Sequence, residues 1–357
     1  LDHYEELGYD ENTITGVTVA ARNPGSWANG IKVAIIDSKA DQILSGVSTS
    51  AVAAPVIQVG YGITQSLSGK VDSTSGIGVS LSDSYLKGII TGISTTTGSR
   101  DVYVKILSRV SAAGTETVVD YQQDGTYCFT ETGSIGVVNN TGTGVGSTTY
   151  TSEVDWFSQQ NITPNIQWNN LAPAPGTSAF AEPRGSRFDE VHVVVIDDLG
   201  TITGNAGTIL EKHLGLSKAS DAEFSAGSTS YWRKYIAAGS ANIFAGGAPA
   251  GLTTTGYDSN QFDLTTDNGW DQPAENVIFG AAGANTYTLA GGLNYNGQTG
   301  IGTAGALTAT LAELKDGYDL FENTEDIKVD FLLMGSAGYA KETAQELENK
   351  LISVAEL

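Results

Sequence analysis

The stretch from Ser186 to Lys218, SRFDEVHVVVIDDLGTITGNAGTILEKHLGLSK, constrains this chain more than any other. The apolar run Val191 to Ile196 has the length of a strand buried on both faces. It runs straight into Asp197, Asp198 and Gly200. Thr208 and Glu211 then form a T-x-x-E capping box, which predicts a helix reaching about Leu214. By physics alone this is a strand–turn–helix unit with acids at the carboxyl end of its strand. Metal ions and phosphates are commonly held at such a place in α/β proteins.

Two further apolar runs, 31–36 (IKVAII) and 327–334, read as strands. Helical spacing follows the second: Ala340, Ala344, Leu347, Leu351 and Val354 share one face, with Glu346 and Lys350 as an i,i+4 pair. Leu307, Leu311, Leu314, Tyr318 and Phe321 recur at the same spacing. Tyr231, Trp232, Tyr235 and Ile236 mark another helix. These elements predict an α/β (α+β) body with a parallel or mixed sheet. Residues 46–150 differ. Short alternating runs such as DVYVKIL (101–107) stand between Gly, Ser and Thr clusters, which predicts an inserted antiparallel β-rich domain. The organisation expected is 1–45 as the start of the body, 46–150 as the insert, and 151–357 as an acidic continuation. Residue 1 is Leu, and the last strand–helix pair has no strand after it, so the sequence reads as part of a longer polypeptide.

Charge separates the same segments. The chain of 357 residues carries 40 acids against 18 bases, a net −22. Residues 151–357 hold 26 of those acids and 10 of the bases, whereas 46–150 is nearly balanced. Such a charge repels nucleic acids and anionic membranes, so neither is expected as a partner. No apolar stretch reaches the length of a membrane-spanning helix. Cys128 is the only cysteine, which excludes a disulfide framework and a C-x-x-C metal site.

Asp197 and Asp198 are the best candidates for catalysis, as ligands of Mg²⁺. A receiver-type site also needs a third aspartate and a lysine at later strand ends, and Asp330 and Lys328 lie within a strand pattern instead. Two acids opening a turn have a plainer role, because Asp side chains bond to turn backbone. Gly300, Gly302 and Gly305 match G-x-G-x-x-G without the strand that must precede it. The segment Gly62 to Lys70 has the wrong glycine spacing for a P-loop. The acids of 258–267 place Phe262 where a calcium loop needs oxygen. His3, His192 and His213 lack zinc-site spacing; His192 belongs in a strand and His213 on a short helix. No catalytic, cofactor-binding or metal-ligating set is expected, and no cofactor.

Three blocks carry a resemblance. The first is Arg22-Asn-Pro24-Gly25-Ser-Trp27-Ala-Asn29-Gly30-Ile-Lys-Val33. The second is the opening stretch, with Gly176-Thr-Ser178 before it, Asp189, Glu190, His192 and Asp197 in its strand, and Gly207 through Glu211 within it. The third runs from Gly291-Gly292 to Gly317-Tyr318-Asp-Leu-Phe321. In this order they resemble the contractile tail sheath proteins of T4-like myoviruses, such as those of cyanophages and related phages. YLKGII (85–90) and ETVVDY (116–121) resemble the family's inserted β-domain. The resemblance implies a structural, non-enzymatic subunit of the virion, assembled in the host cytoplasm. Its partners would be other sheath subunits in hexameric rings, the tail tube and the baseplate. It implies that the amino-terminal region and the carboxyl-terminal domain with its joining arms lie outside this sequence, so this piece would be monomeric. Two alternatives come from other classes: a metal-dependent enzyme using Asp197 and Asp198, and a carbohydrate-binding surface or adhesion protein using the β-rich insert. For the latter, Tyr61, Tyr85, Tyr103, Tyr121, Tyr127 and Phe129 are the available rings.

Overall fold

The computed structural model describes residues 17–23, 25–48, 57–72, 79–96, 99–249, 269–292, 311–322, 331–334 and 341–356. They form two compact units: residues 1–22 with 30–289, and residues 23–29 with 290–357.

The first unit is built on antiparallel sheets. One has four strands in the order Thr208–Ser217, Glu190–Asp197, Ile31–Asp37, Asn285–Thr288. Every pairing in it is antiparallel, with Val191 opposite Asp37 and Asp197 opposite Ile31. The expected parallel or mixed α/β body is therefore wrong. Among the described residues, parallel pairing is limited to two isolated bridges, Arg187–Ile278 and Ser217–Tyr231. A parallel neighbour needs a crossover of a dozen or more residues, whereas a hairpin reverses the chain at once. The chain reverses at once here, between Asp197 and Thr208.

The expected helix at Thr208–Leu214 is also wrong. These residues lie in the strand Thr208–Ser217, bulged twice against the central strand. The capping-box pattern is a local signal. Pairing along a completely buried strand outweighs it, since Val191 to Asp197 are all buried. One face of this sheet packs Ala34, Ile36, Val194 and Ile196 against Trp156, Phe157, Ile162 and Trp168.

The second large sheet is curled. Its strand order is Gly144–Tyr150, Gly133–Val138, Gly62–Ser66, Tyr85–Thr96, Ser99–Val110, Gln42–Ser48, Ser152–Asp155, and Glu116–Val118 also pairs with Ser99–Val110. Its two edge strands are consecutive in sequence, separated only by Thr151, whose N–H donates to the Ser45 carbonyl at 2.9 Å. That connection curls the sheet into a half-barrel around Leu44, Ile63, Leu86, Ile90, Val102, Val104 and Phe129. The helix Trp232–Gly239 buries Trp232 and Ile236.

In the second unit, the helices Leu311–Asp319 and Lys341–Ala355 pack together, and Leu347, Leu351 and Val354 are buried. Glu346 pairs with Lys315 at 3.0 Å, and Lys350 pairs with Asp319 and Glu322, in place of the expected Glu346–Lys350 contact. Of the strand expected at 327–334, residues 327–330 lie outside the described residues. Residues 331–334 are not a strand, and Phe331 and Leu333 are exposed.

Candidate functional site

The carboxyl end of the central strand holds the acids that the sequence singles out. The Asp197 carboxylate is completely buried. It accepts hydrogen bonds from the backbone N–H groups of Thr201 (2.9 Å), Ile202 (3.0 Å) and Thr203 (2.7 Å), and from the Thr203 hydroxyl (2.8 Å). Burial alone would raise its pKa. The hydrogen bonds from Thr203, Ile202 and Thr201 outweigh burial and hold it below the ordinary carboxylate value. The Asp197 carbonyl accepts the Gly207 N–H at 2.7 Å. Within this loop Gly200 has φ +73°, and a Cβ there would stand 2.7 Å from the Ala206 nitrogen, so only glycine fits. Asp198 turns the other way. Its Oδ1 pairs with Lys32 of the neighbouring strand at 2.8 Å, while its N–H donates to the Gly30 carbonyl. The two aspartates therefore do not converge, and the described residues hold no group of three or more His, Cys, Asp or Glu side chains placed to bind a metal ion.

The other sequence-selected residues sit at structural joints. Glu211 accepts five hydrogen bonds, from His213 Nε2, the Ser240 hydroxyl, the Ala241 and Asn242 N–H groups and the Asn242 amide. Burial opposes its ionisation, but these donors bring its pKa down to about 2. It thus clamps the 240–242 turn rather than capping a helix, and His213 lies on the strand beside it, not on a helix. His192 accepts the Gly215 N–H at Nδ1 (2.9 Å) and faces the Pro173 carbonyl with Nε2 (3.0 Å), which places the ring proton on Nε2. Asp189 accepts from the Ser178 N–H and hydroxyl and from the Ser217 hydroxyl. Glu190 accepts the Gly176 N–H.

Arg22 donates to the carbonyls of Ala237 (2.8 Å) and Ser240 (2.6 Å), at the carboxyl end of the helix Trp232–Gly239, and lies 4.6 Å from the Phe244 ring centre. Gly30 has φ +90° against Leu199. In the second unit, Asn29 exchanges two hydrogen bonds with the Gly292 backbone, at 2.7 and 2.8 Å. A Cβ on Gly292 would meet the Gly25 carbonyl at 2.1 Å. The Trp27 indole donates to the Asn23 carbonyl, Gly291 has φ +79°, and the Tyr318 hydroxyl donates to the Leu333 carbonyl. Pro24, the Gly300–Gly305 motif and the acids of 258–267 lie outside the described residues.

Sequence reasoning missed the central buried cation. Lys218 is fully buried, donates to the carbonyls of Phe188 and Gly280 at 2.9 Å, and pairs with Asp37 at 3.1 Å. Burial pushes the Lys218 ammonium down in pKa, and Asp37 opposes that. Asp37 also accepts the N–H groups of Ala282 and Gly283. An acid that ends an apolar run (Asp37) and a lysine that ends another (Lys218) are the only sequence signal of the pair, and 181 positions separate them.

No protein-family model matches the chain, and neither the curated proteins nor the solved structures give a match.

Proposed function

We propose that this chain is the building block of a contractile phage tail sheath. In the full-length protein it stacks in six-fold rings around the tail tube. It then shortens the sheath by rigid-body rearrangement, and so drives the tube through the host envelope. Its partners are other sheath subunits, the tube and the baseplate. Its setting is the virion, after assembly in the host cytoplasm. By itself this chain is monomeric. The energy for such a stroke resides in the difference between two subunit packings, so the subunit itself must stay stiff while its neighbours change.

The observation that carries this reading is the commitment of Asp197. Its carboxylate takes four hydrogen bonds from its own loop, while Asp198 is paired with Lys32. Arg22, Asn29, Glu190 and Glu211 likewise hold backbone groups of distant segments. These contacts favour a stiff body over a site that exchanges ligands. Electron microscopy of the full-length protein containing this sequence tests the reading. Striated tubes with six-fold end views are expected. Dispersed particles alone, under conditions where other contractile sheaths polymerise, would overturn it.

A further inference from the structure

Between the curled sheet and the four-stranded sheet, within the first unit, lies a cavity of about 560 Å³. Both chain crossings between the sheets line it, one through Ser38 and Asp41 and the other through Asp155 and Trp156. The volume falls in the range of small-molecule sites, which favour such junctions.

The floor is built from buried, paired polar groups. Lys105 is buried, donates to the Ser38 hydroxyl and to Asp41 Oδ1 (2.7 Å), and lies 4.4 Å from the centre of the Phe188 ring. Asp41 Oδ2 accepts the Ile106 N–H. This ion pair neutralises the floor. Phe188 adopts φ 61°, a conformation that costs a bulky residue energy, and its ring is held between Lys105 and Arg187. Two hydroxyls of the lining, Thr177 and the buried Ser186, accept backbone N–H groups, leaving their own O–H protons without an acceptor among the described residues.

The mouth has the opposite character. Glu182 is exposed, and its carboxylate has no partner among the described residues. Asp155 accepts the Ser158 N–H through one oxygen. The phenol of Tyr121, half-buried beside Asp155, is pushed up in pKa, first by burial, then by the charge of Asp155 and by its hydrogen bond to that carboxylate. The carboxylate keeps further lone pairs facing the cavity mouth. The cavity thus offers spare donors within, spare acceptors at its mouth and aromatic side chains between. An anion would meet the mouth carboxylates, and a cation would find the floor carboxylate, Asp41, already taken by Lys105 and the Ile106 N–H. A neutral molecule with a donor and an acceptor on each polar group meets neither.

We propose that this junction cavity binds a neutral sugar, one or two pyranose rings, with Glu182 and Asp155 accepting its hydroxyl protons and Ser186 and Thr177 donating to its oxygens. The inference does not depend on the sheath reading. Ligand-observed saturation-transfer NMR and calorimetry on the intact chain test it. The probes are glucose, galactose, mannose, N-acetylglucosamine, cellobiose and lactose, with arginine methyl ester as a cationic comparison. At least one sugar should bind with a dissociation constant on the order of 1 mM, which a few charge-assisted hydrogen bonds supply. Glu182→Gln, at an exposed position, should weaken that binding about tenfold. Asp155→Asn should do the same with the melting temperature unchanged. No binding of any sugar at about 10 mM, equal binding by Glu182→Gln, or tighter binding of the arginine ester than of every sugar would each overturn the proposal.

Discussion

The two sheets of the first unit bury polar groups in different ways. Inside the half-barrel of the curled sheet they are neutral; the buried lysines of its strands, Lys105 with Asp41 and Lys87 with Glu116, lie on the face opposite Val104 and Leu86. Gln42 exchanges two hydrogen bonds with the Phe129 backbone, at 3.1 and 2.7 Å. Gln65 joins the Tyr150 hydroxyl (2.7 Å) to the Thr130 N–H (2.9 Å). In the four-stranded sheet they are ionic: Asp37 with Lys218, Asp197 in its loop, and Glu211 on the 240–242 turn. An amide satisfied by its neighbours fixes register at little electrostatic cost. A buried charge costs much to desolvate and is strongly destabilising when its partner is removed. The four-stranded sheet should therefore feel pH and charge removal before the interior of the half-barrel does.

Lys218→Ala should show the largest effect. It leaves Asp37 buried without its cation and removes the donor to two carbonyls, at a cost of about 3–5 kcal/mol in chemical denaturation. A loss below about 1 kcal/mol would mean that the pair is not what joins these segments.

Acid should act next, through Glu211. Its folded pKa, about 2, lies below its unfolded value, so its stabilisation is complete above the ordinary carboxylate pKa. That stabilisation is lost as pH falls from there toward 2. After allowance for partial solvent screening the loss is about 2 kcal/mol. Glu211→Gln should flatten this part of the stability–pH curve, and a curve unchanged by the substitution would contradict the assignment.

Gln65→Ala probes the neutral interior of the half-barrel. It should cost about 1–2 kcal/mol, by the same amount at every pH between the acid range and neutrality. A pH-dependent loss would blur the contrast between the half-barrel interior and the four-stranded sheet. Asp198→Asn should matter least, under about 1 kcal/mol in thermal melts, because its pair with Lys32 is partly exposed.

Much of the local structure is legible in the sequence, and the direction of the chain is not. The runs at 31–36 and 191–196 are strands, and they pair with each other. Nothing in an apolar run records whether its neighbour is parallel. For the next pair, Glu190–Asp197 with Thr208–Ser217, the decision lies in the 198–207 loop, where Gly200 and the Asp197 carboxylate make a tight reversal. The T-x-x-E at Thr208–Glu211 satisfies the helix rule locally, yet Glu211 finds its donors at 240–242, about thirty residues further along the chain. The same holds for Asp37 and Lys218. Side chains that serve distant backbone have no local signature. The committed role of Asp197 was legible as a turn-former, through the tendency of Asp to bond loop N–H groups. The junction cavity was not legible, since its lining comes from five separated segments.

The central claim is that the acids at the end of the middle strand are clasps of the fold. Carboxyl-carbon NMR titration of Asp197, with and without Mg²⁺, tests it most directly. Asp197 should titrate below the ordinary carboxylate range, with no change in its resonance on adding Mg²⁺. An ordinary or raised pKa, together with a Mg²⁺-dependent shift at both Asp197 and Asp198, would contradict it.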